Sequence, residues 1–309
     1  MRGWLLAGLV AVSAGARASF DLILVADSGQ NCIHRYDGDT GTYLGRFGQN
    51  FITLLQRTTI DQVTNTLWVK TINGLLEFNY NTGALLSSNS NFTSGDEITS
   101  SSTGAIIRAL TVGSAVNIIN NPRTGTTSAS IVLPSEDYRL AGVDSTGDLV
   151  AVGRNLGTLV RMNQLTAVVE ASTTSGALVG ARAGAIRGDR LLVMLPNGSV
   201  SVVDSQLLTA VGGSNTGAIT NGIDVAFGHD SFAWGVGTNA GGGTVLQPYR
   251  AAPGVGIYNS FGNGFVASQV TTPASISVVL APEPGTLIAL GLGAVGAMLR
   301  RRKSRREAN

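Results

Sequence analysis

The stretch Leu22-Ile23-Leu24-Val25-Ala26-Asp27-Ser28-Gly29-Gln30-Asn31-Cys32-Ile33 reads as a strand, a turn and a returning strand. Its opening run is one of six: Leu22 to Val25, Leu67 to Val69, Ile106 to Leu110, Leu149 to Val152, Leu191 to Met194 and Phe232 to Trp234. Their starts lie 45, 39, 43, 42 and 41 residues apart, the length of one four-stranded propeller blade. A turn and an earlier strand precede several of them, as in Arg139 to Asp148 and Gly222 to Asp230. The repeating unit is therefore a small antiparallel meander.

A second feature follows the core strand of each repeat. Tyr36 to Leu44 and Phe78 to Leu86 both carry an Asp or Asn and then Thr-Gly, with weaker versions at Asn163 to Val168 and Asp204 to Val211. The Asx side chain bonds its own backbone and Gly supplies a positive φ, which is hairpin chemistry. A calcium loop at Asp37 and Asp39 would need further ligands that the EF-hand pattern places and this stretch lacks. Leu24 to Ile33 resembles the strand-turn-strand of NHL-like and related six-bladed propellers, a resemblance that implies architecture and no chemistry.

The fold expected is all-β, a six-bladed β-propeller over residues 19–281. Seven blades stay open if Gly254 to Thr272 forms pairs of its own, and a β-sandwich is the third option. The chain begins on Leu22 to Val25 with no innermost strand before it, whereas Ile276 to Leu280 is a spare strand at the far end. The expectation is that this last strand completes the first blade and removes its open edge.

Both ends read as processing signals. Residues 1–18 hold Arg2, the apolar run Trp4 to Val12 and Ala16-Arg17-Ala18, so signal peptidase is expected to cut between Ala18 and Ser19. Pro282-Glu283-Pro284 opens a C-terminal segment, 282–309, that continues with the apolar stretch 286–299 and a basic tail, 300–306. Fourteen residues at about 1.5 Å each give roughly 21 Å, short for a hydrocarbon core of about 30 Å. The six basic residues that follow nevertheless orient it as a single transmembrane helix with the body translocated outward. These three ordered parts resemble the PEP-CTERM sorting signal of Gram-negative bacteria. That resemblance implies exosortase as a processing partner, transient inner-membrane anchoring, release to the cell surface or exterior, and association with exopolysaccharide and biofilm. An ordinary tail anchor is the plainer reading of the same segment.

Eight of the 21 basic residues lie in these two segments, leaving 13 basic against 17 acidic residues between Ser19 and Ala281. A mildly acidic body argues against nucleic acid as a partner. Few charges, 41 glycines and abundant Ser, Thr and Asn suit a turn-rich exported β protein. The single Cys32 has no internal partner and reads as a buried filler.

His34 and His229 are far apart in sequence and read as structural residues, and no H-E-x-x-H, Cys-x-x-Cys or G-x-S-x-G motif is present. No catalytic residue and no cofactor is expected. The preferred function is a non-catalytic binding or structural propeller at the cell surface, with extracellular polysaccharide as its partner. The alternative is a metal-dependent hydrolase or lyase whose channel collects Asp27, Asp61, Asp144, Asp189 and Asp224, all at or near inner-strand turns. The identity of any metal stays open.

Overall fold

Each apolar run of the sequence becomes the second strand of an antiparallel meander. The computed structural model describes residues 21–61, 63–92, 96–100, 106–110, 115–134, 136–213, 217–229, 232–251, 258–260 and 264–280. In chain order the first strands are β1 (Leu22–Asp27), β2 (Cys32–Asp37) and β3 (Tyr43–Phe47). Four meanders follow: β4 (Leu55–Asp61) to β7 (Leu85–Asn89), β8 (Asp96–Ser100) to β11 (Thr126–Val132), β12 (Tyr138–Val143) to β15 (Val168–Thr174), and β16 (Ala183–Arg187) to β19 (Thr209–Gly213). The remainder is β20 (Asn221–Phe227), β21 (Phe232–Thr238), β22 (Thr244–Ala251), β23 (Tyr258–Ser260), β24 (Phe265–Val266) and β25 (Pro273–Val279).

The second strands are β1, β5 (Thr66–Thr71), β9 (Ile106–Leu110), β13 (Leu149–Gly153), β17 (Arg190–Met194) and β21. Every residue of β5 and of β13 is buried, because neighbouring sheets cover both faces; such strands read as continuous apolar runs. The core accordingly lies between sheets. Leu24, Ile33 and Phe47 pack with Leu67, Val69 and Phe78 from the next sheet, and Val116, Ile118 and Ile131 pack with Leu140, Leu149 and Val160.

The first strands line the axis of the ring, each touching the next in the order β25, β4, β8, β12, β16, β20 and back to β25. This is a β-propeller arrangement. The expectation of six blades, with seven as the alternative, is corrected: five sheets are the regular four-stranded blade, and the sheet begun by β20 departs from it with five strands. There β23 and β24 both pair with β22, so the described residues of 254–272 extend this sheet instead of opening a seventh.

The regular blades share one turn. Asp37, Asn79, Asn121, Asn163 and Asp204 stand at intervals of 42, 42, 42 and 41 residues. The side-chain oxygen of each accepts backbone N–H bonds, as from Asp39 and Thr40 to Asp37 (2.9 Å each) and from Gln206 and Leu207 to Asp204 (2.9 Å each). Four residues on, the chain turns left-handed at Gly41, Gly83, Gly125, Ala167 and Leu208. The irregular sheet has no such turn among its described residues.

Sheet-to-sheet contacts also repeat. Arg35 and Arg161 donate to the backbone oxygens of Asn81 and Gln206 in the following sheet, at 2.9 and 3.0 Å. At the equivalent place the polarity is reversed: buried Glu77 accepts both arms of Arg123, at 2.7 and 2.8 Å. A forked pair of this kind fixes orientation as well as distance.

Closure is made by β25, which pairs antiparallel with β1 from Leu22 opposite Val279 to Val25 opposite Ile276. The expected use of the spare C-terminal strand is therefore found. Asp27, at the other end of the ladder, accepts N–H bonds from Thr271 (2.7 Å) and Thr272 (3.1 Å) just ahead of β25, and from Gly29 and Gln30 of its own turn. His34 Nε2 lies 3.4 Å from Asp27 and 3.3 Å from the Cys32 sulfur. All three side chains are buried, and burial with the nearby Asp27 carboxylate pushes the thiol up to about 11. Cys32 is thus the inert filler expected of it.

Residues 22–279 form one unit; of the second, residues 1–21 and 280–309, only Asp21 and Leu280 are described. The signal segment 1–18 and the sorting segment 282–309 with its helix 286–299 lie outside the described residues. Among the described residues no helix is long and apolar enough to cross a membrane.

Two outcomes follow from the closure. Ile276 is 4% exposed, so Ile276→Ala should lower unfolding stability by about 2–5 kcal/mol, read from urea denaturation. Burial tends to raise the Asp27 carboxyl, but His34 and the N–H groups of Thr271, Thr272 and Gln30 outweigh it and hold the group well below the usual carboxylate range. Its stabilisation is complete above the unfolded value of about 4 and is lost as pH falls below it. The difference in urea midpoint between the wild type and Asp27→Asn should therefore be larger at pH 7 than at pH 3.

Candidate functional site

A cavity of about 280 Å³ opens at the N-terminal ends of the first strands, and all six sheets reach it. Gln56 and Arg57 come from β4, Glu97 from β8, Arg139 from β12, and Arg182 from the residue before β16. Asn221 to Ile223 of β20 and Ala274 of β25 complete the circle, with Arg154 just beyond β13. A propeller places such residues together because each first strand presents one face to the axis, where polar side chains meet instead of packing on a neighbouring sheet.

The charges are arranged as a relay of pairs. Arg57 contacts Glu97 at 2.8 Å and Asp224 at 3.0 Å. Arg139 lies 2.8 Å from Asp137 and 3.5 Å from Glu97, and Arg154 stands 3.6 Å from Asp137. Burial disfavours the Arg57 cation, yet Glu97 and Asp224 outweigh that and hold it firmly protonated. Burial pushes the Asp224 carboxyl upward, against Arg57 and the N–H groups of Ile276 (3.0 Å) and Val225 (2.8 Å). Arg182 is different: no carboxylate among the described residues pairs with it, and its Nε is buried without a hydrogen-bond partner.

Of the five acids singled out in the sequence, Asp224 alone belongs to this cluster. Asp27 is the clasp on the closing strand. Asp61, Asp144 and Asp189 lie at the opposite, C-terminal ends of the first strands. Asp61 accepts the N–H groups of Val63 and Thr64, and Asp144 those of Thr146 and Asp148. Gln206 brings Asp144 and Asp189 together, donating to them at 2.9 and 3.3 Å. Among the described residues no group of three or more His, Cys, Asp or Glu is placed to share a metal ion. His34 is sealed beneath the clasp, and His229 stacks near Phe232 at 5.7 Å between ring centres.

The sequence reading missed Arg57, Glu97, Arg139 and Arg182. A signal for them exists: Arg57, Glu97, Arg139, Arg182 and Asp224 are spaced by 40, 42, 43 and 42 residues. One charge per repeat at the blade period marks a common position on the axis.

Comparison with known proteins agrees with both parts of the chain. Residues 280–303 match the PEP-CTERM protein-sorting motif. No curated protein matches the chain. Among solved structures, a protein of unknown function from Bacteroides caccae superposes with a TM-score of 0.59 at 12% identity, covering 84% of this chain and 99% of that one. The Mitotic Checkpoint Complex structure gives 0.56 at 10% identity, covering 84% and 81%. The WD40 repeats of RRP9 give 0.54 at 10% identity, covering 79% and 82%. Identities this low speak to fold alone. The chain thus carries a PEP-CTERM sorting motif behind a β-propeller body.

Proposed function

We propose that the protein is exported, loses its C-terminal segment to exosortase, and serves at the cell surface or in the extracellular matrix as a non-catalytic propeller that binds extracellular polysaccharide. The observation that carries this reading is the sorting motif at residues 280–303, which implies export and sorting to the surface. The body supports a binding role because the axial end of its first strands holds a cavity walled by guanidinium and amide groups, chemistry suited to holding anions and hydroxyls. Of the acids that a metal-dependent reaction would draw on, Asp61 and Asp144 hold strand-end turns at the other end of the ring, and Asp189 accepts there from the Gln206 amide.

Mass spectrometry of surface protein from a host with exosortase should find a mature chain beginning at Ser19 and lacking 286–309. Replacing Pro282, Glu283 and Pro284 by alanine should leave the chain in the inner membrane; surface protein that keeps its tail peptides as the dominant species would count against the reading. A deletion strain should lose matrix cohesion, and the purified protein should bind the host polymer without depolymerising it.

A further inference from the structure

Two residues of the cavity wall each carry a buried polar atom with no hydrogen-bond partner among the described residues: Gln56 Oε1, an acceptor, and Arg182 Nε, a donor. They come from β4 and from the lead into β16, so they approach the axis from separate sheets. Leaving a buried donor or acceptor unsatisfied is unfavourable, so the two orphan groups call for partners that the protein does not supply. The missing partners here are an acceptor for a guanidinium and a donor for an amide oxygen.

The charge of the wall narrows the ligand. Arg57 and Arg139 are already held by Glu97, Asp224 and Asp137. Arg154 is only loosely held, 3.6 Å from Asp137 with its side chain 37% exposed, and Arg182 has no carboxylate partner among the described residues. The cavity therefore offers one free fork and one that can turn, with the Glu97 carboxylate in the same wall. A guanidinium fork matches the two oxygens of a carboxylate. A uronate carries its charge on the sugar's own exocyclic carbon, whereas a sugar phosphate extends a phosphoryl group beyond that carbon and is the larger ligand for this cavity. Volume sets the size: about 280 Å³ is just below the common range for ligand pockets, roughly 300–1,000 Å³, which suits one sugar ring and excludes an oligosaccharide.

From the paired orphan atoms and the free guanidinium we infer that the cavity binds a single uronic acid residue, its carboxylate on Arg182 and Arg154 and a ring hydroxyl donating to Gln56. For a polymer this is one residue at a time, because the volume seats a single ring. The inference rests on the polysaccharide-binding reading and names the sugar class.

Isothermal titration of the purified full-length protein with glucuronate, galacturonate, glucose, glucose 6-phosphate and inorganic sulfate tests it, alongside cosedimentation with the host polymer. A uronate should bind saturably, glucose and sulfate should not, and glucose 6-phosphate should bind at least about tenfold more weakly than the uronate. Arg182→Met should weaken uronate binding by about tenfold or more, Arg182→Lys should fall between, and Asp189→Asn at the opposite end should match the wild type. Gln56→Leu, which removes the amide and leaves the ion pairs, should also weaken it and serves if the arginine variants misfold. No saturable uronate binding to the folded wild type, or binding indifferent to both Arg182→Met and Gln56→Leu, overturns the inference. Polymer binding that survives in a protein with no uronate affinity leaves the polysaccharide reading standing and removes this one; uronate binding with no affinity for the polymer does the reverse.

Discussion

Everything in this fold depends on the ladder between β25 and β1. A four-stranded sheet with two apolar faces is stable only if another sheet covers each face, and in a ring that condition holds everywhere or fails at two places. The strand from the end of the chain supplies the first sheet's missing inner edge. Thr58 of the next sheet then hydrogen-bonds to Ser275 and Ser277 of β25, at 2.8 and 2.9 Å. The hydroxyl contacts continue round the axis from Thr59 to Ser100 at 3.2 Å. Closure thus fixes where the axial side chains stand, and with them the arginine cavity.

What the sequence disclosed followed from burial. Second strands are covered on both faces, so Leu149 to Val152 and Leu191 to Met194 announce themselves as unbroken apolar runs. First strands face a polar axis on one side and neighbours on the other, and β4, Leu-Gln-Arg-Thr-Thr-Ile-Asp, carries no such run. The axial charges were hidden for the same reason, since an isolated Arg57 or Arg139 resembles a solvated surface residue until the repeat is laid over it. Acidic turn residues drew attention in their place, yet Asp61 and Asp144 satisfy strand-end N–H groups, as Asx residues do in any turn-rich protein.

The shared turn shows how much sequence variation one backbone geometry admits. Gly occupies the left-handed position at 41, 83 and 125, but Ala167 and Leu208 take it with φ of 56° and 51°. The constant element is the Asx side chain four residues earlier, whose bonds hold the loop while the glycine is replaced. Two of these turns are plain in the sequence and two, which lack the glycine, are faint; the Asn121 turn keeps Thr124 and Gly125 yet is not among those read from the sequence. The swapped polarity of the Glu77 and Arg123 pair makes the same point between sheets, where the contact recurs though the residues that make it change.

The direction of the closing strand also determines how the ring bears load. Residue Val279, where β25 ends, is paired with Leu22 at the start of β1, so tension applied between the chain before 22 and the chain beyond 279 acts on one end of the ladder. The rungs then break in succession, as a zipper does, and not all together as they would under shear. The last to part is the end held by Asp27, whose bonds to Thr271 and Thr272 lie farthest from the point of pull. The mechanical resistance of the ring is thereby set by single rungs at first and by a buried carboxylate at the last.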